Sequence, residues 1–260
     1  MKIIFGFNEV GVRLHKAEHK MNRKLLLLSN STTYGTSYLS YAKDMIKAFL
    51  GKHEVSEILF VPYARCDYED YTTTVREAVE PMGFSVKGIH TFPSPVEAVN
   101  KAQCIFIGGG NTFLLLKTLY ENQLVEPIRK RVLEGNLVYI GSSAGTNVST
   151  PSINTTNDMP IVYPPTFEAL NLIPFNINPH YVDADPSSKH MSESREKRIQ
   201  EYLEQGSGRK VLGIYEGVLI EVEGDRATLR GERGGKLFVK CKAEPDAIQG
   251  NSDISFLLKN

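Results

Sequence analysis

Five small residues, Gly141-Ser142-Ser143-Ala144-Gly145, match the spacing G-x-S-x-G. In that spacing a serine occupies a sharp turn between a strand and a helix, with its oxygen clear of the backbone. The central residue is held in a strained conformation, so the flanking positions must be glycine or very small. The chemistry open to such a serine is attack on a carbonyl carbon, once a base removes its proton. The amide of Ala144, next in sequence, is then positioned to donate to the developing oxyanion, and the positive end of the following helix favours that charge. Ser142 is the rival serine, but only Ser143 has glycine two residues away on both sides. In isolation the five residues also read as a flexible turn. The apolar run Leu137–Ile140 just ahead of them supplies the strand that a nucleophile elbow requires.

A second cluster, Gly108-Gly109-Gly110-Asn111-Thr112, follows the apolar run Cys104–Ile107 and precedes a helix-period segment. The amides of Gly109 and Gly110 are expected to face the carboxyl edge of the same sheet and to share one anion hole with that of Ala144. A phosphate-binding loop is the competing reading, yet neither G-x-G-x-x-G nor G-x-x-x-x-G-K-[ST] is present.

Histidine is the side chain suited to deprotonating serine near neutral pH, and the chain has six. His15 and His19 lie in the first twenty residues, His53 is near a helix end, His90 ends a strand well before the elbow, and His190 sits in the polar run Asp183–Ser194. His180 stands out. It follows Ile177-Asn178-Pro179, where proline stiffens the turn after an apolar strand, and it comes behind a long loop that should border the site. A carboxylate orients such an imidazole best, and two are candidates. Asp158 lies in Thr155-Thr156-Asn157-Asp158-Met159-Pro160 and Glu216 in Ile214-Tyr215-Glu216-Gly217; a turn-capping aspartate and a hairpin-turn glutamate are the bland readings. Position favours Glu216, expected to close a strand in the sheet itself, over Asp158 on a loop, but both stay in play.

These groups need a rigid frame. From Lys24 onward, short β-rich runs alternate with helix-period segments, the pattern of a mostly parallel sheet with helices on both faces. Leu25–Leu28, Glu57–Val61, Phe84–Ile89, Cys104–Ile107 and Leu137–Ile140 predict strands buried on both sides. Tyr38–Leu50, Tyr71–Met82, Pro95–Ala102, Thr112–Tyr120 and Val125–Leu133 predict helices. Thr150 to Pro165, rich in proline, Thr and Asn, predicts a loop. A helix over about Arg195 to Glu204 opens behind Ser192 or Ser194 as N-cap. Val211–Tyr215, Val218–Glu223, Ala227–Leu229 and Leu237–Lys240 predict C-terminal antiparallel strands and hairpins. Residues 21–260 are expected to form one domain, with residues 1–20 an extension, an alternative start or an expression remnant ahead of Met21.

Thirty basic residues balance thirty acidic ones, which removes the electrostatic footprint of a nucleic-acid or membrane-surface binder and points to a small polar substrate. No apolar stretch approaches the roughly 18 residues of a membrane span, and the first twenty residues lack a signal-peptide pattern. Three cysteines without a C-x-x-C pair suggest neither disulfides nor zinc, and a reducing cytosol. No metal or cofactor is expected.

The chain from about Met21 to Leu229 resembles the α-aspartyl dipeptidase (peptidase E) family of serine peptidases. The resemblance is carried by Leu27-Leu28-Ser29-Asn30-Ser31-Thr32, Gly108-Gly109-Gly110-Asn111-Thr112-Phe113, Ser143-Ala144-Gly145, Thr155-Thr156-Asn157-Asp158-Met159-Pro160, Asn178-Pro179-His180 and Ser194-Arg195-Glu196, in the family's order. It implies a class I glutamine-amidotransferase-like α/β fold and hydrolysis of dipeptides with an N-terminal aspartate. The family's serine falls on Ser143, its histidine on His180, its third member on Asp158 or Glu216, and its substrate-carboxylate arginine on Arg195. Asn111 is a further candidate for contact with substrate. Ser142 stands where bacterial relatives often carry tryptophan. An arginine fork suits an aspartyl carboxylate, and the acid outside the triad is the candidate for the substrate ammonium. The expected protein is a monomer or homodimer acting on a dipeptide. A cyanophycinase-like or isoaspartyl peptidase on the same fold, or a non-catalytic ligand-binding domain, are the alternatives.

Overall fold

The computed structural model describes residues 21–185, 187, 193–205 and 209–259. The expectations for residues 1–20, including His15 and His19, and those for His190 and Ser192, lie outside the described residues. The first half of the chain alternates as its periodicity predicts: β1 (Lys24–Leu28), α1 (Lys43–Lys52), β2 (Glu57–Val61), α2 (Tyr68–Val79), β3 (Ser85–Gly88), α3 (Pro95–Lys101), β4 (Cys104–Ile107), α4 (Thr112–Glu121), α5 (Val125–Leu133) and β5 (Val138–Ser142). Local chemistry sets the helix starts. The Asp67 carboxylate accepts from the Asp70 amide at 2.9 Å, Ser94 caps α3 ahead of Pro95, and Asn111 accepts from the Leu114 amide at 3.0 Å. Two boundaries shift for identifiable reasons. Leu39 adopts a left-handed φ of 58° that delays α1, and Pro81, which lacks an amide hydrogen, turns the end of α2 into a 3-10 turn over Glu80–Met82.

Behind the elbow come α6 (Ala144–Asn147), the expected long loop, β6 (Asn176–Asn178), α7 (Arg195–Gln205), β7 (Val211–Ile214), β8 (Leu219–Glu223), β9 (Arg226–Arg230), β10 (Gly235–Phe238), β11 (Asp246–Ile248) and β12 (Ser252–Asp253). Ser194 caps α7 through the Lys197 amide at 3.1 Å. The main sheet has the order β12-β9-β8-β1-β5-β4-β2-β3, with β1 to β5 parallel and β8, β9 and β12 antiparallel. The remaining strands form a second sheet, β11-β10-β7-β6, in which β6 and β7 run parallel. The C-terminal strands are thus divided between two sheets, a feature that local alternation does not reveal.

Each face of the main sheet carries its own core. Along β1, Leu25 and Leu27 join one core while Leu26 and Leu28 join the other, as the two-residue period of a strand buried on both sides demands. Leu116, Ile128 and Val132 from α4 and α5 cover the first face, and Ile46, Val75 and Val79 from α1 and α2 cover the second. Among the described residues no helix is long and apolar enough to cross a membrane. Cys66, Cys104 and Cys241 are unpaired.

Candidate active site

The elbow follows directly from β5. Ser143 has φ 52° and ψ −107°, a strained conformation for a residue with a side chain, and its amide donates to the Leu28 carbonyl at 3.0 Å. Both glycines of the motif are required by close approach. A Cβ on Gly141 would lie 2.6 Å from the Gly145 carbonyl oxygen, and one on Gly145 would run into the carbonyl of Ile107. The Thr146 hydroxyl ties the turn to Leu28 and Gly141, at 2.6 and 2.9 Å. Ser142 is fully buried, and its hydroxyl has no partner among the described residues.

His180 reaches Ser143 from the second sheet. Its Nε2 lies 2.9 Å from Ser143 Oγ, and its Nδ1 lies 2.7 Å from Glu216 Oε1. With Nδ1–H donating to the carboxylate, Nε2 is the acceptor for the serine hydroxyl. Glu216 does not close a strand of the main sheet, as its position suggested. It stands two residues beyond β7 in the smaller sheet, in a turn that Gly217 permits with φ 81°. His180 also has positive φ, 53°, so its backbone must be held. Ser29, just past β1, accepts from the His180 amide at 2.9 Å and donates to the Ile214 carbonyl at 3.0 Å. Its neighbour Asn30 accepts from the Gly217 amide at 2.9 Å, beside Glu216.

Asp158 is engaged elsewhere. Its Oδ2 accepts from the Thr112 amide at 2.7 Å, at the start of α4, and from the Thr156 hydroxyl at 3.2 Å. A carboxylate there is favoured by the helix dipole. Asn157 donates to the Pro179 carbonyl at 2.7 Å, and the buried Asn178 donates to Asn157 and to the Thr155 carbonyl, both at 2.8 Å. The loop is thereby bound to the histidine turn. Ser143, Ala144, Thr112, Asp158, His180, Glu216, Arg195 and Val182 line a common cleft of about 430 Å³. Burial and the neighbouring Arg198 lower the pKa of Arg195, and the carboxylate of Asp158 opposes them. A guanidinium stays charged under such shifts.

Asn111 is engaged at both ends of its amide, which caps α4 through its oxygen and donates to the Met159 carbonyl at 2.8 Å. In the glycine turn, a Cβ on Gly109 would lie 3.1 Å from that of Ser143, so the turn abuts Ser143. The Tyr71 hydroxyl packs against the same turn at Gly108. Gly110, at φ 137°, packs so closely on Ala64 that a side chain there would meet its carbonyl. The Ala144 amide opens α6 and has no acceptor within that helix. Ser29, Asn30, Asn157 and Asn178 lie in the motifs that carry the family resemblance, but their residue types alone signal no catalytic role. The available hint is polarity where burial is expected, as in the Asn-Ile-Asn of β6.

A strained serine in series with an imidazole and a carboxylate has the geometry of a serine hydrolase. Comparison with known proteins agrees. The model of peptidase family S51 matches residues 25–230. A probable α-aspartyl dipeptidase of Drosophila melanogaster is 49% identical over 237 residues, covering 91% of this chain and 98% of the fly protein. A peptidase E of Streptomyces coelicolor is 49% identical over 234 residues, covering 90% and 94%. A solved structure of a putative peptidase E from Listeria monocytogenes superposes with a TM-score of 0.59 at 25% identity, covering 80% of this chain and 98% of that one. The chain belongs to peptidase family S51.

Proposed function

We propose that this protein is a serine dipeptidase that hydrolyses dipeptides with an N-terminal aspartate. One observation carries the reading: at the strained elbow, Ser143, His180 and Glu216 form a continuous hydrogen-bonded series of 2.9 and 2.7 Å. His180 takes the proton of Ser143 as the hydroxyl attacks the scissile carbonyl, and Glu216 holds the ring and stabilises the imidazolium. The amides of Ala144, Gly109 and Gly110 receive the oxyanion, and the bare Cα of Gly109 lets the glycine turn approach Ser143. His180 then protonates the departing amine, and water hydrolyses the acyl-enzyme by the same route in reverse.

Arg195 pairs with the aspartyl side chain through its fork, and Oδ1 of Asp158, which has no hydrogen-bond partner among the described residues, takes the substrate ammonium. This division is supported by the cleft that both line and by the partners already held by Oδ2. Residues 21–260 act as one domain, since the nucleophile comes from the larger sheet and its base from the smaller. The three free thiols and the balanced charge support a cytosolic monomer or homodimer that acts on a small substrate, with no nucleic-acid or membrane partner.

The test is a panel of Asp-Leu, β-linked Asp-Leu, Leu-Leu and acetyl-Asp-Leu, assayed with and without chelator. The expected result is cleavage of Asp-Leu alone at a rate indifferent to chelator. Preference for the β-linked isomer would make the protein an isoaspartyl peptidase, and no cleavage of any peptide would make it a binding domain. Arg195→Lys replaces the fork by a point charge, and kcat/KM for Asp-Leu should fall about 100-fold. Full activity in that variant would move the specificity cation elsewhere.

A further inference from the structure

Asp-X carries three charges, an ammonium and two carboxylates, and the cleft as described answers only two of them. We propose that Arg65 binds the C-terminal carboxylate and so restricts the enzyme to dipeptides; this rests on the Asp-X reading above. Arg65 follows β2, and its guanidinium carbon lies 3.9 Å above the ring centroid of Tyr71. The ring is fixed in place. Phe60 and Tyr38 meet it edge-on with centroids 5.0 and 6.4 Å away, and its hydroxyl lies 3.3 Å from that of Tyr38. Arg65 is exposed, and among the described residues its guanidinium makes no hydrogen bond and no ion pair. A guanidinium centred over an aromatic face is held there while N–H groups stay available, and such a fork matches a carboxylate through two parallel bonds.

The stack lies next to the nucleophile. The Tyr71 hydroxyl packs on Gly108, where a Cβ would sit 2.6 Å from it, and the next residue, Gly109, abuts Ser143. It also lies on the side of the sheet away from the aspartyl groups. Tyr71 belongs to the core covered by α1 and α2, whereas Asp158 is bonded to the start of α4, over the opposite face. A substrate with its aspartate toward Asp158 and Arg195 therefore extends its leaving residue toward Arg65.

Length agrees with this direction. Strands β5 and β2 are two positions apart in the sheet, about 10 Å at the usual spacing. One residue beyond the scissile carbonyl, with the attack distance and a carboxylate–guanidinium bond added, also spans about 10 Å. A tripeptide would carry its carboxylate roughly 3.5 Å further and put an uncharged amide against the guanidinium.

The experiment compares kcat/KM for Asp-Leu and for Asp-Leu amide, in the parent and in Arg65→Met. The parent should prefer the free acid at least about 10-fold, mainly in KM, and Arg65→Met should bring the two substrates within about 3-fold of each other. Arg65→Lys should restore part of the preference, and it replaces Arg65→Met if that variant fails to fold. Equal preference in parent and variants, or no preference in the parent, would overturn the assignment. A parent inert toward both substrates would instead overturn the dipeptidase reading beneath it.

Discussion

Ser143 is fixed by contacts within a few residues of itself and with neighbouring strand ends, whereas His180 and Glu216 are fixed by Ser29 and Asn30, which hold their turns from 151 and 187 positions away in the chain. The nucleophile side works by exclusion. Gly141 and Gly145 leave no room for a side chain, and the strain at Ser143 is maintained by the strands beneath it. The acid–base side works by tethering. One hydroxyl and three amide side chains hold two turns from the smaller sheet and the Asp158 loop in register with the elbow. The end of β1 serves both sides, since the Leu28 carbonyl receives the Ser143 amide and the next two residues hold the histidine and glutamate turns. The difference implies that the two sides fail differently: the steric side by losing its fold, and the tethered side by losing alignment.

The largest effect should come from removing the nucleophile. Ser143→Ala should lower kcat for Asp-Leu by about 10⁴-fold or more, while thermal melts change by no more than about 0.5 kcal/mol. Turnover near the parent value would break the account of the nucleophile side at once. Glu216→Gln comes next, with a loss of about 10³-fold chiefly in kcat, because the imidazolium loses its counter-charge. Asp158→Asn should act on KM, by about 10-fold, and should reduce the discrimination against acetyl-Asp-Leu. If the kcat loss fell on Asp158→Asn and Glu216→Gln were nearly silent, the two carboxylates would have to exchange roles.

Smaller effects sharpen the contrast. Gly145→Ala forces a side chain against the Ile107 carbonyl and should cost at least about 2 kcal/mol of stability, read by denaturant unfolding, with activity lost in step with folding. Ser29→Ala leaves the half-buried His180 amide without its acceptor, while the Ile214 carbonyl keeps the Tyr181 amide at 3.0 Å, a cost of about 1 kcal/mol. Its signature lies in the surviving folded protein, whose kcat should fall by about 10-fold as His180 drifts from alignment. A folded Ser29→Ala enzyme with parental kcat would show that the tether does not set the alignment.

The same division explains what the sequence discloses. The runs of β1, β2 and β4 are apolar on both faces and stand out from their surroundings, and the elbow is legible because its steric rule is local. The smaller sheet is not legible in this way. β6 is three residues long with asparagine at both ends, and its pairing with β7 joins segments more than thirty residues apart. Glu216 could therefore be recognised as a candidate acid, but not as belonging to a second sheet. The structural role of Asn111 is likewise not legible, since capping a helix and contacting a substrate draw on the same amide chemistry, and the Leu114 and Met159 bonds appear only in the fold.

Activation of the serine of the first sheet by a base carried on the second is read most directly by fluorophosphonate labelling, followed by peptide mapping, in the parent and in His180→Ala. Stoichiometric modification of Ser143 is expected in the parent, with labelling slowed by about 10³-fold or more in folded His180→Ala. Labelling of another residue in an active parent, or equal labelling of Ser143 in both proteins, would contradict it.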